Sequence, residues 1–309
     1  MSVLVSIRMC GEARNPFAGQ QQTEAAIIMH LTFIHKFLPP VIGRHAMCLV
    51  IFAHQCSPQY PLVVAANRDE FHARATERSH FWPAQPQVLA GRDLEQGGTW
   101  MGTTRTGRFA AITNVRDPAR TAPAPRSRGA LTLNFLAGED SPAAYLAEIG
   151  AEADQYALFN LVVGDLQSLW VFSNAHGSRG PEALAPGLYG LSNAALDTPW
   201  PKVKLGKSVL ARSLGGATLS HAELATAVHD RGLARPEELA NHGLTGEMDQ
   251  TLSAQFITAG VYGTRSTTTM WLTRTGVAYW RERSFDEVGR ETGCVEECFR
   301  LEQAQSIGL

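Results

Sequence analysis

The residue with the greatest chemical reach in this chain is a cysteine at the head of an apolar strand. Cys48 opens the run Cys48-Leu-Val-Ile-Phe-Ala53, and strand-like sequence begins abruptly at Met47-Cys48. A thiol attacks a carbonyl carbon as the thiolate, so it needs a base or a neighbouring positive charge. Other segments carry polar groups at or near the ends of apolar strands. Leu62–Ala66 runs straight into Asn67-Arg68-Asp69-Glu70-Phe71, and Phe109-Ala-Ala-Ile-Thr ends on Asn114. Leu188-Tyr-Gly-Leu-Ser ends on Asn193, and Arg265 lies in Tyr262-Gly-Thr-Arg-Ser-Thr-Thr-Thr269. A strand end can hold a side chain rigidly, as catalysis requires. Taken singly, the Arg68 cluster reads equally as a strand meeting solvent, and each Asn as turn chemistry.

The elements that must position these residues are mostly short strands. Cys48–Ala53 and Tyr60–Ala66 predict a hairpin around Ser57-Pro58. Further strands are expected at 88–91, 99–103, 108–114, 158–164, 169–174, 188–193, 254–261, 267–274 and 277–281. Helical periodicity covers 127–136, 143–153, 202–213 and 221–229. Ser141-Pro142 supplies an N-cap with proline at the first helical position. Ser220 with Glu223 has the capping-box spacing. Strand meanders with helices grouped between them predict an α+β fold of two sheets covered by helices. Residues 48–309 read as a single domain.

Residues 1–46 do not fit that pattern. They lack periodicity, and the apolar patch Ala25–Met29 is soon broken by His30 and His35. Pro39-Pro40 and Arg44-His45 follow where a secretory signal would have a small-residue cleavage site. The expectation is a disordered extension, from an over-called start upstream of Met47, a propeptide cut before Cys48, or a genuine tail. The whole chain has 309 residues, 44% hydrophobic and 18% charged, with a net charge of -2. That balance gives nucleic-acid binding little electrostatic support. No apolar run approaches the roughly 20 residues of a membrane helix. Five cysteines (Cys10, Cys48, Cys56, Cys294 and Cys298) at irregular spacing do not make a disulfide framework, which favours a reducing, cytoplasmic setting. Cys294 and Cys298 would share a helix face, as partly buried thiols rather than metal ligands.

The combination resembles the NRDE family, the transport and Golgi organisation protein 2-like proteins. The resemblance rests on Met47-Cys48-Leu-Val-Ile-Phe, Ala65-Ala-Asn-Arg-Asp-Glu-Phe71, Gly97-Gly-Thr-Trp-Met-Gly102, Ala110-Ala-Ile-Thr-Asn114, Gly187-Leu-Tyr-Gly-Leu-Ser-Asn193 and Tyr262-Gly-Thr-Arg-Ser-Thr-Thr268. That family is similar to N-terminal-nucleophile (Ntn) hydrolases of the choloylglycine hydrolase and penicillin V acylase type. It implies a four-layer αββα sandwich whose N-terminal cysteine cleaves non-peptide amides, with no cofactor or metal. By motif order it implies Cys48, Arg68, Asp69, Asn114, Asn193 and Arg265 as the catalytic set. Arg68 and Asp69 are adjacent here, whereas the acylases separate that pair by two residues, which leaves Asn67 as an alternative to one of them.

The implied roles follow from ordinary acidities. An α-amine titrates near 7.7–8.0 and a thiol near 8.5, so the amine of an N-terminal Cys48 could act as base. Arg68 would favour the thiolate, and Asp69 would orient the amine. Asn193 and a backbone N–H near Asn114 would stabilise the oxyanion. Arg265 would balance charge around Asp69. The partner is a small amide or acyl compound, or, if the pocket only binds, a lipid, acyl or haem-like ligand.

Overall fold

A computed structural model of the chain describes residues 48–115, 124–175, 177 and 180–302. In chain order the strands and helices are β1 (Cys48–His54), β2 (Leu62–Phe71), β3 (Thr76–Trp82), β4 (Gln85–Asp93), β5 (Met101–Thr104), β6 (Phe109–Asn114), α1 (Arg128–Ala137), α2 (Pro142–Ala151), β7 (Phe159–Gly164), β8 (Leu169–Ser173), β9 (Glu182–Ala183), β10 (Gly187–Leu191), α3 (Pro201–Leu214), α4 (His221–Ala225), α5 (Pro236–Ala240), α6 (Glu247–Thr251), β11 (Thr258–Ala259), β12 (Tyr262–Leu272), β13 (Val277–Phe285) and β14 (Glu291–Arg300).

Two antiparallel sheets result. The first has the order β10-β1-β2-β12-β13-β14, with β11 against β12, and the second runs β3 to β9 in sequence order. β1 is apolar without alternation because both of its faces are covered. Val50, Phe52, Val64 and Met270 meet Leu89, Met101, Phe109 and Val162 between the sheets. Leu131 and Phe135 of α1, with Leu146 and Ile149 of α2, cover the outer face of the second sheet through Ala110, Leu161 and Val163. The outer face of the first sheet is covered by α3 and α4. A Cβ on Gly206 of α3 would come within 2.6 Å of Ile51, and His221 of α4 hydrogen-bonds Thr269 at 2.8 Å. The order is therefore helix, sheet, sheet, helix, the αββα sandwich. Ser141 and Ser220 cap α2 and α4 with their side chains.

Several expectations need correction. Of the segment Asn67–Glu70, the first three residues do not meet solvent. The segment lies inside β2, with Asn67, Arg68 and Asp69 at 2%, 5% and 1% exposure. The apolar stretch 254–261 is mostly not a strand, since Gln255 and Phe256 donate their amides to Asp230 O and only Thr258–Ala259 joins a ladder. Cys294 and Cys298 are exposed on the edge strand β14 rather than partly buried on a helix. Strands β3 and β14 and helices α5 and α6 were not foreseen. Among the described residues, no helix is long and apolar enough to cross a membrane. Cys10 and the segment 1–47 lie outside the described residues.

Candidate active site

Cys48 heads β1 and pairs directly with Arg68 of β2. Residues directly opposed in an antiparallel ladder point to the same side, so thiol and guanidinium both face the second sheet. Arg68 is pinned there. Its Nη1 donates to Thr76 Oγ1 at 3.2 Å, its Nη2 lies 3.5 Å from Asp93 Oδ2, and its guanidinium sits 4.4 Å from the centre of the Trp100 ring.

Asp69 points to the opposite face, since successive strand residues alternate. Because the strands are antiparallel, the residue after Arg68 lies beside the amino side of Cys48. Asp69 Oδ1 accepts the Thr264 hydroxyl at 2.6 Å, and Thr264 Oγ1 in turn accepts the Ile257 N–H at 2.9 Å. Asp69 Oδ2 is buried with no hydrogen-bond partner among the described residues. Burial raises the Asp69 carboxyl to about 7, against the pull of Lys202, Thr264 and Arg68. Burial, reinforced by the Asp69 charge, pushes the Cys48 thiol up to about 12, although the Asp69 backbone N–H and Arg68 favour the thiolate. Burial and the Asp69 charge both favour the protonated thiol at neutral pH.

The end of β10 closes the other side. The ladder of β1 with β10 ends at Val50 and Leu191, and the chain then runs through Ser192 and Asn193 past Cys48. The Ser192 hydroxyl lies 2.9 Å from Cys48 O and 3.0 Å from Asn193 Oδ1, with one proton to give between them. Asn193 Nδ2 donates to Asn114 O at 2.8 Å, and Thr113 Oγ1 donates to Ser192 O at 2.6 Å. Asn160 of β7 adds a bond to Ala194 O at 2.8 Å. These bonds stitch the ends of the two sheets together at the cysteine. Cys48, Arg68, Asp69, Asn114 and Asn193 thus gather at one end of the sandwich.

Arg265 and Asn67 occupy different positions. Arg265 sits at a bulge in β12, between Thr264 opposite Asp69 and Ser266 opposite Arg68. Its Nη1 donates to Phe71 O at 2.7 Å and Arg74 O at 3.0 Å, so it clamps the turn after β2 rather than contacting the cysteine. Asn67 is fully occupied elsewhere. Its Nδ2 donates to Val228 O at 2.6 Å and Gln255 O at 2.8 Å, and its Oδ1 accepts the Thr267 hydroxyl at 2.7 Å. It anchors the outer helical layer and has no amide group left for the cysteine.

Two charged residues escaped the sequence reading. Lys202, in the first turn of α3, is 4% exposed, and its Nζ donates to Leu252 O at 3.0 Å. Burial lowers its amine to about 8, while Asp69 and Cys48 pull it back up. Arg128 begins α1 and donates to Leu158 O at 3.0 Å, with Cys48 and Glu70 as its attracting charges. Neither stands in a recognisable motif. A lysine after Trp-Pro at a helix start, or an arginine after an N-cap serine, reads as solvated. The motif 97–102 is explained by contact. Gly97 has φ +77°, a Cβ on Gly98 would lie 2.3 Å from Gly129 C, and Trp100 carries the Arg68 guanidinium. Among the described residues, no group of three or more His, Cys, Asp or Glu side chains could hold a metal ion.

Comparison with known proteins gives matches over much of the chain. The family model for Transport and Golgi organisation 2 matches residues 47–287. The Transport and Golgi organization protein 2 homolog of Homo sapiens is 32% identical over 257 residues, covering 77% of this chain and 93% of that protein. The Bos taurus homolog is 40% identical over 174 residues, covering 53% of this chain and 63% of its own length. Among solved structures, a Clostridium perfringens conjugated bile acid hydrolase variant matches with a TM-score of 0.40 at 9% identity, over 83% of this chain and 93% of that one. The Caenorhabditis elegans N-acylethanolamine-hydrolyzing acid amidase ortholog gives a TM-score of 0.36 at 10% identity, over 72% and 92%. Likeness at that level carries no argument about activity.

Proposed function

The chain belongs to the Transport and Golgi organisation 2 family, and from that premise we propose that it is an Ntn-type hydrolase or acyltransferase using Cys48 against a small non-peptide amide or acyl compound. The observation that carries the reading is Asp69. Its buried Oδ2 has no hydrogen-bond partner among the described residues, and it lies beside the amino side of Cys48. A free α-ammonium is the donor that such an oxygen suits.

In a chain that begins at Cys48, the α-amine takes the thiol proton and Sγ attacks the carbonyl carbon. Asn193, fixed by Ser192 and Asn114 O, donates to the oxyanion, with a backbone N–H near Asn114 as second donor. The C–N bond breaks, the α-ammonium protonates the departing amine, and a thioester on Cys48 remains. Water or another acceptor then attacks the thioester, the acyl group leaves, and the thiol is restored. Arg68 favours the thiolate, and Arg265 holds the turn that follows Asp69. The proposal requires that residues 1–47 be absent from the active species.

The test compares a chain starting at Cys48, the full 309-residue chain and a Cys48→Ala variant on a panel of N-acyl amides. Turnover confined to the first supports the hydrolase. Equal turnover by the Cys48→Ala variant contradicts it. A second reading, a ligand carrier with an inert thiol, is favoured by the thiol's rise to about 12 in the continuous chain. It predicts acyl-compound binding without turnover by all three.

A further inference from the structure

Asp69 is a buried carboxylate with one neutral hydrogen-bond donor, and no cation lies within ion-pair distance of it among the described residues. The outer face of β2 shows where its balancing charge comes from. Asn67, two residues earlier on the same face, bonds Gln255 O at 2.8 Å, and Gln255 Nε2 bonds Lys202 O at 3.0 Å. This chain of bonds ties the first turn of α3 to the face from which Asp69 projects. Lys202 reaches the interior with one hydrogen-bond acceptor among the described residues, Leu252 O, for its three protons, and its Nζ lies 5.7 Å from the centre of the Trp200 ring. Lysine is seldom fully buried unless paired, and the acid groups that act on Lys202 are Asp69 and Cys48.

We propose that Lys202 is the counter-charge of Asp69 and, through Asp69, a positioning residue for the amino group of Cys48. The inference rests on the hydrolase reading above, because it needs the Cys48 amine to be free. Lys202 does not touch the reacting atoms. It keeps Asp69 able to accept the α-ammonium, at a distance that leaves the Asp69 oxygens for Thr264 and the amine. Two buried ionisable groups, neither satisfied alone, thereby offset one another. The other groups that act on Asp69 are Thr264 from β12 on the same face and, from the opposite face, Arg68 and Glu70 on β2 and Cys48 on β1.

The test uses a chain beginning at Cys48 and the pH profile of iodoacetamide alkylation at Cys48, which needs no substrate. Lys202→Gln keeps a donor for Leu252 O and removes the charge, Lys202→Met removes both, and Lys202→Arg keeps the charge. Without the charge Asp69 holds its proton to higher pH, so the acid limb in Lys202→Gln should rise by about one pH unit. Labelling at pH 7 should fall about tenfold, and Lys202→Arg should recover to within about threefold. Lys202→Met supplies the comparison if the Gln variant does not fold. In an Asp69→Asn background, Lys202→Gln should have no further effect. An unchanged profile in a folded charge-free variant overturns the proposal. So does an equal loss in the Asp69→Asn background, which would mean that Lys202 acts on the thiol directly. Failure of the hydrolase reading looks different: the profile still moves, and no amide is turned over by the parent.

Discussion

The Thr264 hydroxyl donates to Asp69 Oδ1 at 2.6 Å, while the other oxygen of the same buried carboxylate has no hydrogen-bond partner among the described residues. A half-satisfied carboxylate resists ionisation, and burial raises it from its ordinary 3.8 to about 7. Between those values the folded chain holds a proton that the unfolded chain has lost. Folding stability should therefore fall as pH rises from about 4 to about 7. Asp69→Asn removes that dependence. In urea titrations the variant should gain on the parent across this window, by on the order of 3–4 kcal/mol at its upper end. A pH-independent difference between the two would contradict the account of Asp69.

Asn193 ties the ends of both sheets beside Cys48 and is the proposed oxyanion donor. Asn193→Ala leaves Asn114 O without this donor and Ser192 with Cys48 O in place of two alternative acceptors. A stability loss of about 1–3 kcal/mol is expected from a melting curve. Turnover in the chain starting at Cys48 should fall by about 100- to 1000-fold. Asn114→Ala should cost less stability, because the bond uses the backbone carbonyl. The opposite ranking of the two variants would point away from this arrangement.

Gly98 lets the loop before β5 lie against the start of α1. A methyl group there would lie 2.3 Å from Gly129 C and 2.5 Å from Gly129 O, and backbone atoms cannot swing aside. Gly98→Ala should lower stability by about 1–3 kcal/mol in chemical denaturation. A midpoint matching the parent would mean that the approach is not close in solution.

Much of this architecture is legible in the sequence, and the gaps have physical reasons. Apolar runs such as Cys48–Ala53 and Phe109–Thr113 declare strands because only a covered sheet tolerates them. Asn67–Glu70 looked solvated, since nothing local reveals that Val228, Gln255 and Thr267 close over it from more than 150 residues away. β14 alternates between half-buried and exposed, and half of its exposed residues (Glu291, Glu296 and Arg300) are charged, so it carries little apolar signal. The motif order names Cys48, Arg68, Asp69, Asn114 and Asn193, residues that lie at one end of the sandwich, whereas the bulge that turns Arg265 toward Phe71 and Arg74 has no sequence mark. Lys202 was invisible for the reason that gives it interest: a first-turn lysine is buried only by tertiary neighbours.

The central claim is that Cys48 becomes a nucleophile only as a free N-terminus beside Asp69. Intact-mass measurement after brief incubation with an activated acyl ester tests it most directly, using the chain that starts at Cys48 and the same chain with Met47 retained. The account predicts a single acyl adduct on Cys48, removable by hydroxylamine, in the first chain at pH 7. It predicts little or none with Met47 present, where the thiol stays near 12. Equal acylation of both chains, or acylation of Cys56, Cys294 or Cys298 in preference to Cys48, would contradict it.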